Sequence, residues 1–286
     1  MIPSRCTIRV PPGLGCRLSA ALLVALVGLS PATADTTTTL DATYTISLGS
    51  IVVGRATAES RFTGDDYIAT VTGSTGGVSR LVSDAEARLS GYGRISGSSV
   101  LPASFDLETA ESGFNTYVHM DIHRGQITNL IAIPSLAAAP DRVPVTATHK
   151  TDIVDPLGAF LVPLDRANAR SGRAICDRTV KVFDGWTRFD IELFYKATKA
   201  VDGPSNTYAG PVIVCGARYK PIAGHRTKDD ALEDLVGNDR LEVWLAPVGD
   251  SVLVPFRIVI GTRWGDLVVH ATRFTIASVE DRASLD

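Results

Sequence analysis

From Thr43 to Leu48 the chain alternates strictly, with Tyr44, Ile46 and Leu48 against Thr43, Thr45 and Ser47. The next run, Ile51 to Phe62, follows across a Gly49-Ser50 turn. A period of two places the apolar set on one face of a strand and the polar set on the other. Further strands are expected at Tyr67–Thr72, Pro102–Thr109, Phe114–His123 and Gln126–Ile133, then at Cys176–Phe183, Trp186–Tyr195, Tyr208–Tyr219, Leu241–Ala246, Val252–Ile260 and Asp266–Ile276. Roughly a dozen strands joined by turns imply antiparallel pairing rather than strand–helix alternation. The sharpest hairpin signal is Asp184-Gly185. A two-residue turn there sets Val182 opposite Thr187, Val180 opposite Phe189, Arg178 opposite Ile191 and Cys176 opposite Leu193. It also gathers Phe189, Ile191, Leu193 and Tyr195 on one face.

Helical signals are few. Asp155 before Pro156 reads as an N-cap followed by proline at the first helical position. Leu157, Phe160, Leu161 and Leu164 then recur at helical spacing, and Pro163 must kink or end the segment. A second short helix is expected over Asp230–Val236, stopped by Gly237. Pro211 and Pro255 interrupt apolar strands and belong at edges or bulges. The expected architecture is mainly β: a single large curved antiparallel sheet or half-open β-barrel, with one short helix packed on or in it. Its four apolar residues face a ligand or plug an open end.

The first 34 residues bear on where the chain works. Arg5, Arg9 and Arg17 form a basic region, Leu18–Leu29 an apolar run too short to span a bilayer, and Ala32-Thr33-Ala34 a small-residue cleavage site. They read as a secretory signal peptide, cleaved after Ala34, and residues 35–286 as a single antiparallel β domain of an exported, periplasmic protein. Subtracting the three arginines from 28 basic residues leaves 25 against 31 acidic ones, a mature charge of −6. That balance does not attract a phosphate backbone, so no nucleic-acid partner is expected. No later stretch suits a transmembrane helix, since the best candidate, Val252–Ile260, contains Pro255 and Arg257. Cleavage also leaves two cysteines, Cys176 and Cys215, in an oxidising compartment where a disulfide is expected. Two buried free thiols, or a redox pair, are the alternatives.

Candidate chemistry is sparse. His119, Asp121 and His123 project from one strand face as metal ligands do, yet a half-solvated strand produces the same alternation, and no fourth ligand is identifiable. Asp184, Asp190, Arg218 and His225 supply the residue types of an acid–base site near the hairpin and the second cysteine, although each has an ordinary structural explanation. G-x-S-x-G, H-E-x-x-H, C-x-x-C and phosphate-loop motifs are absent, and no cofactor is expected. Gly73-Ser74-Thr75-Gly76-Gly77 lacks the lysine of a phosphate loop and reads as a turn between strands.

One set of landmarks does point to a family: Asp155-Pro156-Leu157, Cys176, Val182-Phe183-Asp184-Gly185 leading into Phe189-Asp190, Tyr208, Gly210, Cys215, Arg218-Tyr219, Pro221-Ile222-Ala223-Gly224, Val243-Trp244-Leu245-Ala246-Pro247 and Val254-Pro255. Their order resembles domain-of-unknown-function family 3108, a family of exported bacterial proteins, from Tyr44 to about Thr275. The resemblance implies an envelope protein of the same architecture and no particular activity. Three functions fit: a non-catalytic binder or carrier of an apolar or lipid-like ligand, an envelope scaffold adding a partner's strand to its edges, or a hydrolase or metalloenzyme acting on an envelope polymer. The first accounts best for a concave sheet with an apolar helix.

Overall fold

The computed structural model describes residues 36–76, 84–135, 141–164, 172–203, 207–228 and 230–280; the expected signal peptide lies outside them. Seven strands run in hairpin succession: β1 (Thr36–Leu48), β2 (Ile51–Thr63), β3 (Asp66–Thr75), β4 (Glu86–Ser96), β5 (Ser99–Glu111), β6 (Phe114–His123) and β7 (Gln126–Ile133). After a crossing segment come β8 (Val162–Pro163), α1 (Gly172–Cys176), β9 (Arg178–Phe183), β10 (Arg188–Val201), β11 (Gly210–Ala223), α2 (Asp230–Leu235), β12 (Leu241–Val248), β13 (Val252–Thr262) and β14 (Gly265–Glu280). All main strands join one antiparallel sheet in the order β7-β6-β5-β4-β3-β2-β1-β14-β13-β12-β11-β10-β9, and β8 adds to the start of β13. The first and last strands thus meet in the middle, Thr36 opposite Glu280 and Leu48 opposite Leu267.

The sheet does not close: β7 and β9, at its two ends, are not paired with each other. The crossing segment ties them indirectly. Ile153 donates its N–H to the carbonyl of Gly125 beside β7, while Val154 donates to Lys181 and accepts from Phe183, both in β9. An ion pair between Asp152 and Lys181 adds to the same contact. Trp186, just beyond β9, donates its indole N–H to the carbonyl of Pro134, just beyond β7, at 2.8 Å. Among the described residues no helix is long and apolar enough to cross a membrane.

The alternation expected of β6 is observed; in β1 it holds from Leu40 to Tyr44, while Ile46 and Leu48 are half-buried like Thr45 and Ser47. Leu40, Ala42 and Tyr44 are buried with Phe62, Phe256 and Phe274, and Val118, Met120 and Ile122 are buried with Phe105, Ile153 and Phe183. A third cluster, Val162, Ile175, Leu245 and Leu253, surrounds the Cys176–Cys215 disulfide, whose Cα atoms are 5.5 Å apart. The prolines sit as expected: a register shift skips Phe256 beside Pro255, and β12 pairs with β11 only over Ile213–Gly216, leaving Pro211 at an unpaired margin.

Several expectations need correction. The segment after Asp155 is not a helix through Leu164 but a single 3-10 turn, Gly158–Phe160, followed by extended β8. Pro163 cannot continue a helix, and β13 offers backbone pairing instead. Cys176 is not in a strand; it ends α1, and β9 begins at Arg178. The β9–β10 connection spans Asp184–Thr187 rather than two residues, because the Asp184 carboxylate accepts from Trp186 N–H (2.8 Å), Thr187 N–H (2.6 Å) and the Thr187 hydroxyl (2.6 Å). The register therefore sets Val182 opposite Phe189 and Val180 opposite Ile191. A shift of two leaves every side chain on its expected face. Gly73–Thr75 belong to β3, not to a turn.

β4 has no counterpart in the sequence reading, and its glycines explain why. A Cβ at Gly93 would lie 2.5 Å from the carbonyl oxygen of Leu101 and 2.9 Å from the Tyr67 hydroxyl, so only glycine lets these elements meet.

Candidate functional site

Strands β9, β10 and β11 each alternate, and their pairing stacks the alternation into stripes. Val180 faces Ile191, which faces Tyr219; Leu193 faces Ala217; Phe189 packs its ring 5.1 Å from that of Tyr219. On the opposite face, Lys181 lies beside Asp190 and Asp190 beside Lys220, while Glu192 lies beside Arg218 and forms an ion pair with Lys220. One surface of this half-sheet is consequently greasy and the other charged.

The greasy surface continues through Val243 and Leu245 of β12 to Ile258 and Ile260 of β13. Leu235 of α2 and the turn residues Pro156, Ala159 and Phe160 complete the walls of a cavity of about 290 Å³. Phe189, Ile191, Leu193 and Val243 are only half-buried, and Phe160 is 48% exposed. Apolar side chains that a folded core would normally cover are thus left lining an opening.

Among the described residues, Glu242 is the single charged residue of this lining. Its carboxylate is taken by Lys196 Nζ at 2.7 Å and by the Trp244 indole N–H at 3.2 Å, and the Lys196 hydrogen bond holds its pKa below the usual carboxylate range. The groove accordingly offers no free counter-ion to a charged guest. Behind the turn, Asp155 is fully buried; its Oδ1 accepts from the N–H groups of Leu157 (2.8 Å) and Gly158 (3.0 Å).

The four residues expected on one helix face separate. Phe160 lines the groove, Leu157 is buried near Phe105, Leu161 joins the cluster of Tyr44 and Phe274, and Leu164 packs beside the disulfide. The expected acid–base group does not assemble either. Asp184 caps its own turn, Asp190 pairs with Arg188 at 2.6 Å, and Arg218 lies over the Phe194 ring at 4.4 Å. His225 accepts from Val143 through its backbone carbonyl. No hydrogen bond or ion pair joins any two of those four side chains among the described residues.

The metal candidates share a strand face but are engaged otherwise. His119 Nδ1 lies 2.8 Å from Asp106 and Nε2 3.5 Å from Asp121; the other Asp121 oxygen accepts from Asn129 at 3.1 Å, and His123 is exposed. Among the described residues no three His, Cys, Asp or Glu side chains gather where they could hold a metal ion. Sequence reasoning missed the contributions of β12, β13 and α2 to the groove. The alternation of Leu241, Val243 and Leu245 was the signal available, but nothing local says which sheet face will remain uncovered.

No curated protein matches the chain. Among solved structures it is similar to the β-barrel-like protein of domain of unknown function DUF1849 from Brucella abortus, at 9% identity and a TM-score of 0.48, covering 86% of this chain and 98% of that one. The family model described as "Protein of unknown function (DUF3108)" matches residues 43–272, the span that holds the Asp-Pro-Leu segment, Cys176 and Cys215 and the Val-Trp-Leu-Ala-Pro strand, and the chain belongs to that family.

Proposed function

We propose that the protein is a non-catalytic carrier of a lipid-like ligand, working outside the cytoplasm and holding a single hydrocarbon chain in the groove between β9–β13 and the Gly158–Phe160 turn. The observation that carries this reading is the lining itself: about 290 Å³ walled by aliphatic and aromatic side chains, with its one carboxylate already paired to Lys196. An uncharged chain suits such a site, whereas a charged group would enter without a partner. Burying about ten methylenes contributes about 8 kcal/mol before ordering costs, which sets a ceiling near micromolar affinity. The signal-like segment over residues 1–34 supports an exported location.

The test is titration of the purified protein with N-phenyl-1-naphthylamine, a fluorophore that brightens in apolar surroundings, followed by competition with a long-chain fatty acid. Saturable brightening that the fatty acid displaces, and that Ile191→Lys abolishes while circular dichroism stays unchanged, is the expected result. Equal brightening in Ile191→Lys, or none in the wild type, overturns the reading.

A further inference from the structure

We propose that Asp155 is a proton-operated fastening for the turn that walls the apolar groove: its protonated carboxyl keeps the turn seated, and its ionisation loosens the turn and opens the groove. The inference rests on the apolar reading of that groove and adds its regulation.

Asp155 Oδ1 holds the N–H groups of Leu157 and Gly158, and its backbone carbonyl accepts from Ala159 at 2.9 Å. These bonds seat the turn from which Ala159 and Phe160 reach the groove wall. Asp155 Oδ2 is buried and has no hydrogen-bond partner among the described residues; the same is true of the Tyr67 hydroxyl. A Cβ on Gly158 would lie 2.9 Å from that Oδ2, one on Gly93 2.9 Å from the Tyr67 oxygen, and one on Gly91 3.8 Å from Oδ1. Glycines thus stand beside both oxygens, and a side chain at Gly158 or Gly93 would press on them.

Among the described residues, Tyr67 of β3 is the titratable group that interacts with the carboxyl, Gly91 of β4 and Gly158 stand beside its oxygens, Ser104 of β5 lies beside Gly91, and the turn itself carries no charge. Asp155 forms no ion pair among the described residues. Burial raises the carboxyl's pKa from 3.8 to about 6, and the backbone N–H groups of Gly158, Leu157 and Asp155 itself offset it only in part.

Linkage fixes the direction. When the turn lifts and Asp155 is hydrated, the carboxyl regains its ordinary, lower pKa, so the proton is held more tightly in the seated state. Proton binding consequently favours the seated turn, and raising the pH from about 5 to about 7.5 multiplies the lifted population about tenfold.

The experiment uses the full chain. Amide hydrogen exchange at Leu157 and Gly158, corrected for the intrinsic rate, is followed from about pH 5 to about pH 7.5 beside the uptake rate of N-phenyl-1-naphthylamine. In the wild type, protection is expected to fall and uptake to rise, each about tenfold, while Asp155→Asn shows neither change. Titration of the wild-type Asp155 carboxyl by carbon-13 NMR supplies a readout that needs no variant, and a midpoint in the ordinary carboxylate range overturns the proposal. So does protection that is independent of pH, or that falls equally in Asp155→Asn. A fluorophore that binds with a rate indifferent to pH removes the fastening and leaves the carrier reading standing. Protection that responds to pH with no binding at any pH removes the carrier reading, and with it the claim that the turn governs entry.

Discussion

Tyr44 in β1 donates its hydroxyl hydrogen to the backbone carbonyl of Pro255 in β13 at 2.8 Å, reaching past β14, which lies between them in the sheet. The carbonyl sits where the β12–β13 register skips Phe256, so a bulge frees an acceptor that the tyrosine takes up. Burial pushes the Tyr44 phenol well above its ordinary pKa, and the hydroxyl stays a donor at any working pH. Tyr44→Phe strands the buried carbonyl and is expected to destabilise the protein by about 1–3 kcal/mol. Denaturant unfolding should show a lower midpoint with an unchanged slope.

Gly93→Ala tests the close approach of β4 to β5. The added methyl meets Pro102 Cα at 2.7 Å and the Leu101 carbonyl oxygen at 2.5 Å, both of them backbone atoms that cannot swing aside. The expected loss is about 1–3 kcal/mol, read as a drop in melting temperature. At Gly97, where nothing lies within 4 Å but φ is +57°, alanine should be strained by conformation rather than by crowding.

His119 titrates above its ordinary 6.5 because it is hydrogen-bonded to Asp106, with Asp121 adding attraction and burial opposing both. A raised histidine pKa means the folded state binds the proton more tightly. The stabilisation is complete below 6.5 and is lost as pH rises through the shifted value. Asp106→Asn should lower the His119 midpoint, measured from the imidazole proton resonances. An unmoved midpoint would show that the 2.8 Å contact does not control the ring.

The disulfide joins residues 39 apart in sequence. Loop-closure entropy assigns it about 4 kcal/mol. Cys176→Ala with Cys215→Ala should lower the unfolding free energy by that order. Because Val162 and Leu245 both pack at the bridge and line the groove, the double variant should also weaken fluorophore binding.

The fold was legible wherever alternation is strong and unbroken. β6 shows it best: Val118, Met120 and Ile122 turn inward, as the pattern of the strand requires. Where side chains carry little pattern, the reading failed. In β4, Gly91 and Gly93 leave the alternation without side chains: a Cβ at Gly91 would lie 3.2 Å from the Ser104 carbonyl oxygen, and one at Gly93 would collide with β5 backbone and the Tyr67 hydroxyl. Leu157, Phe160, Leu161 and Leu164 have helical spacing, yet three of the four are claimed by three different clusters, and backbone pairing with β13 outweighs the spacing. The cysteines and the greasy stripe of β10 were visible in advance. The far wall of the groove was not, because it depends on the long-range register of β12 against β11, with Ile213 opposite Leu245 and Gly216 opposite Glu242.

The outermost strand has a practical bearing. β7 contains no charged residue, its outer backbone meets no further strand among the described residues, and Ile131 and Ile133 are exposed on it. Such a naked seam is a template for stacking one molecule onto the next, so concentrated preparations should self-associate through it. A lysine introduced at Ile131 would act as a gatekeeper and raise the concentration at which turbidity sets in.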